Sequence, residues 1–172
     1  MYRRMSDFAK SWTEEARQTL RVFDVIPDEA AEQAVADGHR TLRRLAWHIV
    51  ESLIEMPGRF GLTIDGHGFM TPEGGICAPP ASMGAIRTAY AAASDSLLAG
   101  IAGWSDADLD IEDDMYGERW PRAFSLAVLV VHQVHHRGQM TVLMRQAGLA
   151  VPDIYGPAKE GWAAYGAPPP RV

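Results

Sequence analysis

The chain of 172 residues has 22 acidic against 16 basic side chains, a formal net charge of −6, and is 47% hydrophobic and 22% charged. Holding a phosphate backbone needs a basic face, so this balance argues against nucleic-acid binding, while the composition excludes collagen-like and disordered classes. The length fits one domain over residues 1–172, and Cys77, the lone cysteine, leaves neither an intrachain disulfide nor a thiolate-rich zinc site.

The segment Met1 to Phe8 lacks the apolar core and small-residue cleavage site of a signal peptide, and no run of about 18 apolar residues reads as a membrane span. With a single cysteine, the expectation is a cytoplasmic protein. From Ser6 to Val25 the residues Phe8, Trp12, Ala16, Leu20 and Phe23 recur at three- and four-residue steps, the pattern of an amphipathic helix. Pro27 interrupts it before an acidic segment that ends at Asp37 and Gly38. A second helix is expected from about His39 to Phe60, with Leu42, Leu45, Ile49, Leu53 and Met56 as its buried stripe and Pro57-Gly58 near its end. Arg40, Arg43 and Arg44 read as a solvated face of that helix.

Residues 65–80 hold four glycines and three prolines, which predicts a long loop suited to covering a pocket. Ser82 is placed to cap a third helix reaching Gly100, which carries Ile86, Tyr90, Ala93, Leu97 and Leu98. The acidic stretch Asp106 to Asp114 reads as a solvated connector, and Met115 to Arg122 as a small extended or turn element. A last helix containing Phe124, Leu126, Leu129, Val130, Val131, Met140 and Leu143 is apolar enough for a central element and should end near Gly148. The Pro- and Gly-rich tail from Pro152 is expected to wrap the bundle surface. Four long helical patterns without a comparable period-two stretch predict an all-α four-helix bundle.

His132 and His136, four residues apart on the last helix, project from one face toward a common point. Neutral imidazole suits zinc, nickel, copper and iron ions. His48 falls in the apolar stripe of the second helix, where a lone imidazole needs a polar partner. The spacing alone leaves a metal pair and a pair of core or surface histidines both open. It also resembles the His-Glu-x-x-His of zinc peptidases, but Gln133 follows His132 and cannot be the general base that chemistry requires. His135 should point about 100° away from His136. His39 and His67 carry no strong signal, one at a helix start and one in the glycine-rich loop. Glu51, one turn beyond His48, reads as a carboxylate behind that ligand or as a surface salt bridge, and Arg137 as a packing or tail contact.

The string His132-Gln-Val-His-His-Arg-Gly-Gln-Met140, with Leu143, Arg145, Gly148, Pro152 and Tyr155-Gly156-Pro157 after it, resembles the fourth-helix signature of the DinB/YfiT-like superfamily. Leu45-Ala-Trp-His48-Ile resembles its second-helix partner, and with length and helix order the likeness covers nearly the whole chain. The resemblance implies an up-down-down-up bundle and a divalent metal, zinc or nickel, held by three histidines that map onto His48, His132 and His136. It implies homodimers, a small-molecule substrate and, as in some members, a low-molecular-weight thiol activated by the metal for S-transfer.

Three nitrogen ligands leave a coordination position open, as in catalytic sites. The first functional expectation is therefore a metal-dependent thiol S-transferase. The competing readings are a metal-dependent hydrolase and a non-catalytic metal-binding stress-response protein. Trp47, Tyr116, Trp120 and Tyr155 are aromatic candidates for lining a pocket or for filling the core.

Overall fold

The computed structural model describes residues 1–66 and 76–171. Four long helices carry the fold: α1 (Met5–Asp24), α2 (Leu42–Arg59), α3 (Met83–Gly100) and α4 (Arg122–Gln146). A two-stranded hairpin, β1 (Glu112–Met115) and β2 (Glu118–Pro121), enters α4, and short 3₁₀ turns lie at Asp28–Ala30, Asp106–Asp110 and Lys159–Tyr165.

Three contacts fix the helix directions. The backbone N–H of Met5 donates to Asp106 at 2.8 Å, tying the start of α1 to the turn after α3. Phe60, just past α2, packs edge-on against Trp104, just past α3. Arg122, opening α4, lies over the same Trp104 ring. The start of α1, the ends of α2 and α3, and the start of α4 thus share one end of the bundle, which is the up-down-down-up arrangement. The main packing pairs are α1 and α2 each against α3 and α4.

The apolar stripes read from sequence form the core. Phe8, Trp12, Leu42, Ile49, Leu53, Ile86, Tyr90, Leu97 and Leu126 are almost wholly buried, each large aliphatic or aromatic side chain contributing about 1.5–3 kcal/mol. Trp12 satisfies its indole N–H on Ser94 Oγ at 3.0 Å, so a polar atom crosses the α1–α3 seam without loss.

Several expectations change. The second helix begins at Leu42, three residues later than expected, because Thr41 accepts from the Arg44 N–H and caps it. The acidic stretch after Ser105 is an ordered element. Asp108 accepts from the Ser105 N–H and hydroxyl in a capping box, while Leu109 and Met115 are buried as anchors. The hairpin turn is Tyr116-Gly117, with φ of +62° and +88°, as the tight turns matched to strand twist require. The last helix is not central: Leu126, Leu129, Met140 and Leu143 face the core, but Phe124, Val131 and Val142 remain exposed on its outer side. Of the Gly/Pro loop expected at 65–80, residues 67–75, His67 included, lie outside the described residues. Among the described residues, no helix is long and apolar enough to cross a membrane.

Candidate metal centre

Helices α2 and α4 run antiparallel, so one turn of α2 meets two turns of α4. That brings His48 against His132 and His136, with one nitrogen from each ring within 4.8 Å of the others. The Nε2 atoms of His48 and His132 are 3.3 Å apart. Tetrahedral zinc with Zn–N bonds of about 2.0–2.1 Å places its ligand nitrogens about 3.3 Å from one another, so this pair stands at ligand spacing. Among the described residues the donor set is imidazole alone, without a carboxylate or thiolate, and it fits a borderline divalent ion.

The His136 ring is oriented from behind. His136 Nδ1 pairs with Gln139 Oε1 at 2.8 Å; as donor there, the ring presents Nε2 as a lone pair. Burial pushes the His136 pKa down to about 4, against the smaller opposing effect of the Gln139 bond, so the ring is neutral at physiological pH. His132 is lowered as well, by burial first and then by His48. Ser52 Oγ donates to the His48 carbonyl at 2.8 Å and lies 3.0 Å from His132 Nε2. Behind His48 stands Glu51, fully buried, with one carboxylate oxygen 3.7 Å from His48 Nδ1 and paired with Arg44. The surface salt bridge considered for Glu51 is excluded by that burial. His48 Nδ1 and Glu51 Oε1 are both buried without a hydrogen-bond partner, and the oxygen nearest the ring is Oε2, the one that Arg44 holds.

Two cavities meet at the cluster. One of about 550 Å³ reaches His136, with His39, Arg40 and Gln139 among its walls. The other, about 250 Å³, reaches His48 and His132 over Met56 and Val128, with Tyr116 and Glu55 also among its walls. The Tyr116 hydroxyl donates to Glu55 at 2.6 Å, and Arg59 lies 4.1 Å over its ring. Burial and then the Glu55 bond push the Tyr116 pKa up to about 12, so the phenol keeps its proton.

Of the other candidates, His135 is exposed, its ring centroid 4.9 Å from that of His136. Trp47 fills the core, Trp120 packs on Phe124, and Tyr155 reaches Arg137, so Tyr116 is the one of the four aromatics that faces the histidines. Arg137, 1% exposed, donates to the Glu15 carbonyl and to Thr19 Oγ1, each at 3.0 Å, and pairs with the Glu15 carboxylate at 2.5 Å. The arginine cluster at the start of α2 is not one solvated face. Arg43 binds Glu32, Arg44 binds Glu51 and the Cys77 carbonyl, and Arg40 alone is exposed. Ser52, Glu55, His39 and Arg40 were not legible as site residues, because only the antiparallel packing of α2 on α4 and the fold of the loop before α2 bring them to the histidines.

Comparison with known proteins agrees with this architecture. The family model described as the DinB family matches residues 1–171. The chain is similar to the uncharacterized protein YrdA of Bacillus subtilis (strain 168), 37% identical over 173 residues that span 100% of both chains. It is similar to the crystal structure of a DinB-like protein from Bacillus cereus ATCC 10987, with a TM-score of 0.78 and 40% identity over 90% of this chain and 100% of that one. A DinB-like protein from Bacillus subtilis, YjoA, shares the fold at a TM-score of 0.66 and 15% identity, over 88% of this chain and 99% of the other.

Proposed function

Because the chain belongs to the DinB family and gathers three histidines between two cavities, we propose that it is a divalent-metal enzyme of the thiol S-transferase type. The observation that carries the reading is this access: a closed structural site would have neither approach. His48, His132 and His136 hold the ion, zinc or nickel as the family resemblance implies, both of which suit an all-imidazole set. When bound, the ion supplies Lewis-acid polarisation and favours loss of the proton from a thiol that reaches it.

The chain's own residues do the rest. Gln139 fixes the ring of His136 from behind through its hydrogen bond, and Glu51 places a negative charge 3.7 Å from the back of His48. The cavity beside Tyr116 has an apolar floor for the body of a small molecule, and the Tyr116 hydroxyl, whose one proton is given to Glu55, keeps lone pairs that can accept from it. The lone cysteine supports placement in a reducing cytoplasm. The outer stripe Phe124, Val131 and Val142 on α4 supports a homodimer that covers it.

Elemental analysis of the purified protein, beside His48→Ala and His132→Ala, tests the site. About one equivalent of metal in the native chain and none in the variants is expected, as is a sulfur-to-cobalt band when the cobalt form is titrated with a thiol. A native chain that stays metal-free after reconstitution sinks the site. Tight metal without any thiol response turns the reading toward hydrolysis or a non-catalytic role.

A further inference from the structure

The larger cavity has a one-sided electrostatic character. Arg40, His39 and Gln139 are among its lining residues beside His136, and no acidic residue is, in a chain whose formal net charge is −6. Arg43 and Arg44, three and four positions on, are each bound to a carboxylate. Arg40 makes no ion pair or hydrogen bond among the described residues. Arg40 is exposed, and the backbone that carries it is held at the cavity. Ala34 and Thr41 form an isolated antiparallel bridge, and the Leu42 N–H donates to the Gln33 carbonyl at 2.9 Å. The Arg43 N–H donates to the Ala31 carbonyl at 2.8 Å, and Gly38 takes φ of +77° at the bend.

We propose that this cavity is an anion subsite that takes the carboxylate end of a small substrate on Arg40, with His39 beside it, while the substrate's other end reaches the three-histidine centre. The proposal rests on the metal-centre reading given above and adds to it the charge class of the molecule. A guanidinium presents two parallel donors that match the two oxygens of a carboxylate. One fixed positive charge balances one negative charge, which favours a carboxylate over a phosphate monoester carrying nearly two. Leu45 and Val142 supply the apolar wall against which a short carbon chain would lie between the two ends.

The test uses the full chain loaded with cobalt and three thiols of similar size: 3-mercaptopropionate, 2-mercaptoethanol and cysteamine, which are anionic, neutral and cationic. The half-saturation of the sulfur-to-cobalt band is read for the native chain and for Arg40→Gln, with cobalt content measured in both. The expected result is a preference for 3-mercaptopropionate over 2-mercaptoethanol of roughly tenfold or more, the scale of one charge-assisted pair, with cysteamine weakest. In Arg40→Gln the preference should collapse at unchanged cobalt content, and Arg40→Lys should restore part of it.

A preference that survives in Arg40→Gln would reflect chelation by the thiol itself and overturns the subsite. Equal binding of all three thiols overturns it too, while the thiol reading stands. If no thiol produces a band, succinate titrated calorimetrically separates the two ideas: Arg40-dependent binding keeps the anion subsite and removes the thiol, and no binding overturns both.

Discussion

His48 Nε2 and His132 Nε2 face each other at 3.3 Å across the seam of α2 and α4, with His136 completing the cluster. Two neutral imidazoles in that position can share at most one proton, and a cation between them would engage both lone pairs. Metal binding should therefore stabilise the fold. A ligand at a hundred times its dissociation constant adds about 2.7 kcal/mol, which for a chain of this size raises Tm by roughly 5–10 °C. Thermal unfolding with and without a chelator should show that difference in the native chain and lose it in His48→Ala. An equal response in both would place the stabilising metal elsewhere.

Glu51 is fully buried between Arg44 and the back of His48. Loss of a carboxylate that orients a ligand typically costs about 10–100-fold in metal affinity. Glu51→Gln keeps the shape and removes the charge, so competition against a chromophoric chelator should show a loss in that range with little change in Tm. Glu51→Ala should also destabilise the chain, by about 1–3 kcal/mol, because Arg44 loses its partner in a partly buried setting. Unchanged affinity in Glu51→Gln would reduce Glu51 to a packing role.

The three clustered histidines are legible in the sequence because His48 interrupts an apolar stripe, and His132 and His136 repeat at the helical period. The helix directions came from the resemblance to a family, since periodicity carries no direction. What could not be read was tertiary pairing. Glu51 looks like any polar residue in an amphipathic helix until Arg44 is seen on it, and nothing local separates Arg40 from Arg43 and Arg44. The run Asp106 to Asp114 is mostly solvated, as its acidity predicts, but its order is not legible, because only Ala107 and Leu109 are apolar before Ile111. Leu109 is the anchor that orders it, and a single buried leucine leaves no period to detect.

Arg137 closes the other side of α4, where Glu15, Thr19 and the tail residue Tyr155 converge on it. Replacing it with methionine keeps volume but leaves the Glu15 carboxylate, 13% exposed, without its cation. The expected cost is about 3–5 kcal/mol, read from the urea midpoint. Tyr155→Phe removes only the hydroxyl that donates to Glu15 at 2.6 Å, so about 1 kcal/mol is expected, together with faster proteolysis within residues 149–171. If both variants unfold with the native midpoint, the network contributes nothing to stability.

The depressed His136 pKa gives the metal-free protein a defined acid response. In the unfolded chain the ring takes up a proton near the ordinary imidazole value of about 6.5; in the folded chain burial holds it off until about 4. Between those values the unfolded state binds more protons, so stability rises with pH across the window. The contribution of His136 is complete above about pH 6.5 and is lost progressively as pH falls toward 4; His132, lowered in the same direction, acts with it. Chelated protein should lose Tm between pH 7 and pH 5, and His136→Gln, which cannot take up the proton, should lose less over the same interval. The comparison cancels the carboxylates common to both chains. Parallel Tm curves for the two proteins would mean that His136 is as readily protonated in the fold as outside it, and that the ring is not held neutral by burial.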